Sequence, residues 1–254
     1  MSATLDEHSS DEWGRPLESL EVTADQEAPT NAYVLPSGSL SALWSVRDRG
    51  LVGGAKRNTE QGIALRTSGL TGKFGAPTAA GVTLTGVIAH AGYRLVAERR
   101  SAEGTATWSL WARRDLSVTL VREDGQEKLD VIPFSTAVAR LVGWLGISPY
   151  WPVPEGDEPG AHVIGDADID ARIRGDFVEV PSWAAESLAR RWRGTWSSAS
   201  VGVPDSDDGL PLVIMDGNIH VRDRVEGGSL LSVVPSYWAY SAIFDLIGRT
   251  GTRR

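Results

Sequence analysis

The sequence Leu129-Asp-Val-Ile-Pro133 recurs 102 residues later as Leu231-Ser-Val-Val-Pro235. In both copies a run of strand-forming residues ends at a proline, which cannot continue a central strand. Apolar residues at helical spacing follow each proline. They are Ala137, Leu141 and Leu145 in the first copy, and Ala239, Ile243 and Ile247 in the second. The sequence therefore predicts a strand followed by an amphipathic helix, twice.

An Asp-Gly pair, a strong signal for a two-residue hairpin, precedes each copy. The pairs are Asp124-Gly125 and Asp216-Gly217, and we take them as equivalent turns. Their spacing is 92 residues instead of 102. This difference predicts an insertion of about ten residues in the second copy, from His220 to Ser229.

A duplicated unit has a physical explanation, because one unit cannot cover its own apolar sheet face and helix face. Two units that cover each other around a pseudo-two-fold axis solve this problem. We therefore predict an α+β fold in which duplicated strand-turn-strand-helix halves form a mixed or antiparallel sheet flanked by helices. The halves are placed at about 37–148 and 166–250, with a connector rich in proline and glycine at 149–165.

Local patterns give the remaining elements. Strands are predicted at 82–89, 93–100, 105–113, 116–122, 128–132, 176–180, 195–203, 210–215, 218–224 and 230–234. Helices are predicted at 40–50, 58–69, 135–145, 182–193 and 236–247. Residues 1–30 lack periodicity over most of their length and are predicted to be an acidic disordered tail.

Charge and composition exclude several functions. The net charge is −8, and residues 1–30 hold eight acidic residues against one basic residue, Arg15. The rest of the chain is nearly neutral, which gives no basic stripe for nucleic acid or for an anionic membrane. Cysteine is absent, so disulfides and thiolate chemistry are excluded. No long apolar run or signal peptide is recognisable, and we expect a cytoplasmic protein.

Motifs that carry chemistry are missing from the sequence. There is no phosphate-binding glycine loop and no nucleophile elbow, and the four histidines are solitary. The triplet Asp166, Asp168 and Asp170 begins like a calcium loop, but Ala171 and Phe177 stand where glycine and glutamate are required. We expect no enzyme activity, no cofactor and no metal site.

The chain resembles the EspG family of ESX (type VII) secretion-associated proteins of actinobacteria over roughly residues 35–250. The resemblance is carried by Leu40 to Val52, by Trp108-Ser-Leu-Trp111 leading into Leu116 to Val121, by Leu129 to Leu145, and by Trp196 to Ile247. It implies one pseudo-symmetric EspG-like domain at 31–254. It also implies a cytosolic specific chaperone that keeps soluble a helical, PE–PPE-like secretion substrate.

A chaperone of this kind needs an apolar surface that covers a partner. We place it on the concave side of the sheet and the helices of the second half, where the insertion is predicted. The candidate partner-binding residues are Trp108, Trp192, Trp196, His220 and Arg222. Tryptophan is chosen because ten are present and large amphipathic rings are favoured in interfaces.

Two other hypotheses stay open. Exposed tryptophans would also suit a small-ligand or carbohydrate-binding module, which a pocket lined by indole rings and polar groups would favour. An enzyme of unrecognised type has only the abundance of acidic residues in its favour. A buried carboxylate cluster in a cleft would support it.

Overall fold

The computed structural model describes residues 32–47, 58–147, 162–204, 206 and 209–251. The strands in this part of the chain are β1 (Tyr33–Pro36), β2 (Tyr93–Ser101), β3 (Gly104–Arg113), β4 (Leu116–Glu123), β5 (Gln126–Pro133), β6 (Trp196–Gly202), β7 (Gly209–Met215), β8 (Asn218–Val225) and β9 (Gly228–Val234). The α-helices are α1 (Ser39–Val46), α2 (Glu60–Thr67), α3 (Ala79–Ala89), α4 (Ala137–Trp144), α5 (Asp166–Ile173), α6 (Glu186–Arg193) and α7 (Ser236–Gly251). A 3₁₀ turn, Phe134–Thr136, leads into α4.

The strands form one antiparallel sheet in the order β1-β5-β4-β3-β2-β6-β7-β8-β9. Strands β2 to β5 and β6 to β9 are two four-stranded meanders, and they meet where β2 pairs antiparallel with β6. Each meander is followed by a helix, α4 or α7. The predicted fold class is confirmed: two duplicated halves form an antiparallel sheet flanked by helices.

The pairing register shows that strands β3 to β5 repeat as β7 to β9 at a constant offset of 102. Val118 pairs with Trp111 and with Val131. At the same positions of the second half, His220 pairs with Val213 and with Val233. The duplication therefore extends to the individual residue pairs of three strands.

The predicted insertion at His220 to Ser229 is wrong, because these residues form β8, a turn and the start of β9. The error lies in the turns that were matched. Asp216-Gly217 joins β7 to β8, and its counterpart is Arg114-Asp115 between β3 and β4. Arg114 and Asp216 share the left-handed backbone conformation, with φ of 57° and 50°.

The duplication also includes the edges of the sheet. Leu35 of β1 pairs with Glu127, and at the equivalent place Ile164 forms an isolated bridge with Ser229. A helix begins soon after each contact, α1 in the first half and α5 in the second. Ile164 is buried, so the C-terminal end of the predicted connector, 149–165, belongs to the core.

Helices cover both faces of the sheet. Helices α4 and α7 pack on one face of the central strands, around Leu110, Leu141, Leu212 and Ile243. On the opposite face, the apolar side chains of α1, α2 and α3 pack on β4 and β5. Helices α5 and α6 pack on β7 and β9 in the second half. The middle of that opposite face lies between these two groups of helices.

Two predicted strands have other structures. Residues 82–89 belong to helix α3, because Thr78 Oγ1 accepts the N–H of Gly81 and caps the helix. Burial of Leu84 and Ile88 on one side of the helix outweighs the strand preference of its valine and threonine residues. Residues 176–180 have no regular secondary structure and pair with no described strand.

Side chains, and not a neighbouring strand, donate hydrogen bonds to the carbonyl groups of residues 176–180. The guanidinium of Arg172 donates to the carbonyl of Asp176 at 2.7 Å, and Nε1 of Trp192 donates to the carbonyl of Val178 at 3.1 Å. Arg172 also donates to the carbonyls of Trp192 and Gly194. One arginine thus joins the C-terminal ends of α5 and α6.

Several predictions lie outside the described residues. They concern the acidic tail at 1–30, residues 149–161 of the connector, and the end of the first helix at 48–50. The division into a tail and a single domain at 31–254 stays a prediction. No helix in the described part of the chain combines the length and the apolar character needed to cross a membrane.

Candidate partner-binding face

The middle strands present different side chains on their two faces, because neighbouring residues of a strand point in opposite directions. Leu95 and Ala97 of β2, with Ala199 and Val201 of β6, are buried under α4 and α7. The residues between them point to the other face, where the two groups of helices leave the strands accessible. We call this surface the open face. It consists of Arg94, Val96, Glu98, Arg100, Ser198, Ser200, Gly202, Gly209 and Pro211.

The pairing register brings small residues together in the middle of the open face. Val96 lies opposite Gly202, which in turn lies opposite Gly209. Glu98 lies opposite Ser200. Glycine and serine leave little side-chain volume above the backbone, so another chain can approach this part of the sheet closely. Val96 is 39% exposed at the edge of this low region.

Charges on the open face come from β2. The Nε atom of Arg100 lies 2.6 Å from Oε1 of Glu98, and both side chains are exposed. An exposed ion pair of this kind stabilises the fold by less than about 1 kcal/mol. Arg94 stands at the other end of the strand and is also exposed. The ion pair and Arg94 therefore influence the binding of a partner to the open face more than the stability of the fold.

An exposed aromatic ring belongs to a segment beside the C-terminal end of β2. Phe177 is 90% exposed and follows the C-terminal end of α5. A Cβ atom on Gly175 would come within 2.9 Å of the Cβ of Ala102, in the turn between β2 and β3. This close packing places the segment that carries Phe177 beside the end of β2. Burial of such a ring by a partner is favourable.

Most of the predicted partner-binding residues are buried. Trp108, Trp192, Trp196 and His220 are all at most 4% exposed. Trp108 belongs to the core under α4 and α7. The rings of Trp192 and Trp196 pack edge to face at 5.1 Å, and Nε1 of Trp196 donates to the carbonyl of Trp192. These rings belong to the core of the second half because their apolar area is large and their N–H groups find backbone acceptors.

His220 is enclosed between neighbouring strands. Burial lowers its pKa to about 3, and the charge of Arg191 adds to this effect. Its Nδ1 lies 3.3 Å from the carbonyl of Asn218, while Nε2 has no hydrogen-bond partner among the described residues. The ring is therefore held neutral in the core.

Arg222 is the fifth predicted residue, and its side chain is largely covered. Its Nη2 lies 2.8 Å from Oδ1 of Asp166, and its Nε donates to Ser229 Oγ at 2.9 Å. The hydrogen bond from Ser229, with that from Arg222, lowers the pKa of Asp166. The partner-binding role of the five residues stays a prediction. For the four buried ones, contact with a partner requires the core to open.

Sequence reasoning missed Val96 and Phe177. The charged residues Arg94, Glu98 and Arg100 alternate along β2 and indicate an accessible face there. The sequence does not show that β2 lies in the middle of the sheet. In the described part of the chain, no group of three His, Asp or Glu residues is placed to hold a metal ion.

Comparison with known proteins finds similarity to solved structures only. No family model matches the chain, and no curated protein matches it. The chain is similar to the Mycobacterium tuberculosis type VII secretion system chaperone EspG5, in a structure of its complex with a PE25-PPE41 dimer. The TM-score is 0.47 and the identity is 12%, over 86% of this chain and 96% of that chain.

Proposed function

We propose that this chain is a specific chaperone of the EspG family. It binds a helical, PE–PPE-like substrate of an ESX type VII secretion system in the cytosol and keeps it soluble. The sequence resemblance over residues 35–250 supports the family. The open face supports the binding mode, and it is the observation on which the proposal depends.

The open face suits a helical tip for steric reasons. A strip with Gly202, Gly209, Ser198 and Ser200 on its floor allows the end of a helical hairpin to approach the sheet. Val96 and Phe177 then exclude water from apolar side chains of that tip. Arg94 and the Arg100–Glu98 pair orient the substrate and add little net affinity.

The carbohydrate-binding alternative needs exposed indole rings. Among the described tryptophans only Trp44 is exposed, at 41%, and the guanidinium of Arg47 lies 4.6 Å from its ring centroid. The others are buried or half-buried. The half-buried Trp183 and the buried Trp192 line a cleft, but its charged groups are the carboxylates of Asp168 and Glu179, which attract a cation more than a neutral sugar. The distribution of the tryptophans therefore favours a protein partner over a sugar.

Co-expression with a PE–PPE heterodimer tests the proposal. We expect this chain to raise the soluble fraction of the heterodimer and to co-purify with it. Val96→Lys places a charge on the open face and should reduce the co-purified heterodimer at least tenfold. Phe177→Ser should reduce it about threefold.

Val34→Lys is the matched control, since Val34 is also an exposed valine on a strand but lies on β1, at the far edge of the sheet. Thermal unfolding of each variant checks that the fold is retained. If Val96→Lys and Val34→Lys behave alike, or if the wild-type chain leaves the heterodimer insoluble, the proposed function is wrong.

A further inference from the structure

A cleft of about 420 Å³ lies in the second half, between the start of α5, helix α6 and the segment that precedes α6. It shares no residue with the open face. The residues that decide its chemistry are Asp168, Glu179, Trp183 and Trp192.

The cleft carries negative charge without a compensating base. Asp168 and Glu179 are its charged lining residues, and neither forms an ion pair with a described residue. The partial positive charge at the N-terminus of α5 is already compensated by Asp166. Asp166 also accepts hydrogen bonds from Ser229 and Arg222. Two exposed carboxylates thus line the cleft, where their charge attracts a cation.

The cleft has aromatic walls. Trp183 stacks on His162 with ring centroids 4.2 Å apart and an interplanar angle of 15°. Trp192 is fixed by its hydrogen bond to the carbonyl of Val178. A cation over an indole face is attracted by the ring quadrupole, and a planar guanidinium can also stack on it. His162 covers one face of Trp183, and the ring also borders the cleft beside the two carboxylates. This combination favours a guanidinium over a neutral side chain.

The cleft follows from incomplete helical cover in the second half. The first half has three helices over β4 and β5, where Leu65, Leu70 and Leu84 fill the space. The described second half has α5 and α6 on that face, and the irregular residues 176–180 in place of a third helix. Such a segment fills less space than a helix, and the unfilled space is the cleft.

We propose that this cleft binds an arginine side chain of a partner protein. The guanidinium stacks on Trp183 and pairs with the carboxylates of Asp168 and Glu179. The inference goes beyond the proposed function, because it requires neither the open face nor a secretion substrate.

Titration with acetyl-arginine amide, followed by calorimetry and by the indole N–H signal of Trp183 in NMR spectra, tests the proposal. Acetyl-citrulline amide is the matched probe, since it keeps the shape and loses the charge. We expect the citrulline compound to bind at least tenfold more weakly. Trp183→Phe assigns the NMR signal and keeps an aromatic face.

Variants locate the site. Glu179→Gln and Asp168→Asn should each weaken arginine binding about threefold to tenfold, while Glu103→Gln, an exposed acid in the turn between β2 and β3, should leave it unchanged. Thermal unfolding shows whether each variant is folded. Equal binding of the two probes, or arginine binding that Glu179→Gln and Asp168→Asn leave intact, overturns the proposal.

Discussion

The two halves of the sheet share one register but differ in what they enclose. In the first half the row Trp111, Val118 and Val131 is apolar. In the second half the same row places the imidazole of His220 between two valines. Among the described residues, the first half has three helices over this face, and the second has two helices and a cleft. The two halves therefore share their strand pairing and differ in the side chains and helices that pack on it.

The largest effect that separates the halves is expected at Trp192. This ring is buried, contacts Trp196 and donates to the carbonyl of Val178. Trp192→Ala should lower the free energy of unfolding by about 3–5 kcal/mol, because a large cavity forms. Urea denaturation measures the change. Trp44→Ala, which removes an exposed ring in the first half, is the control and should cost less than about 1 kcal/mol.

A smaller, pH-dependent effect is expected at His220, whose counterpart is Val118. The pKa of His220 is about 3 in the fold, against about 6.5 in an unfolded chain. Below pH 6.5 the unfolded state takes up a proton that the folded state excludes, so stability falls as the pH decreases towards 3. The contribution lost at pH 5 is about 2 kcal/mol.

The variant His220→Val gives the second half the residue that the first half has at this position, and it removes the titratable imidazole. The difference in unfolding free energy between pH 7 and pH 5 should become about 2 kcal/mol smaller in the variant than in the wild type. Denaturation curves at the two pH values measure it. An unchanged pH dependence would show that the folded protein binds the proton at His220 as readily as the unfolded chain does.

The smallest effect is expected at the turn Arg114-Asp115, which corresponds to Asp216-Gly217. Arg114 adopts a φ of 57°, a conformation that asparagine tolerates better than arginine. Arg114→Asn should therefore stabilise the fold by roughly 0.5 kcal/mol. Asp216→Asn is the matched control in the second half and should change the stability by less. A destabilised Arg114→Asn variant would contradict this account.

The repeated segments could be predicted because strand-forming runs, prolines and helical spacing agree there. Helix α3 was missed because Val82, Thr83, Thr85 and Val87 favour a strand locally, and only the cap at Thr78 and tertiary packing decide otherwise. The turns were mismatched because Asp-Gly is conspicuous, whereas Arg114-Asp115 is not.

The candidate site was harder to predict than the fold. The abundance of tryptophan suggested exposed rings, but Trp108, Trp192 and Trp196 fill the core. Burial depends on which strands become neighbours, and the pairing of β2 with β6 joins residues about 100 positions apart. No local pattern around Val96 or Phe177 carries that information.

The junction of β2 with β6 also suggests how such a chain could arise. A single half would end in an unpaired β2, and an exposed edge strand readily pairs with another copy of itself. An antiparallel pair of equivalent strands is what a two-fold homodimer forms. The described fold is therefore equivalent to a homodimer whose subunits have been fused into one polypeptide, which frees each half to acquire its own side chains.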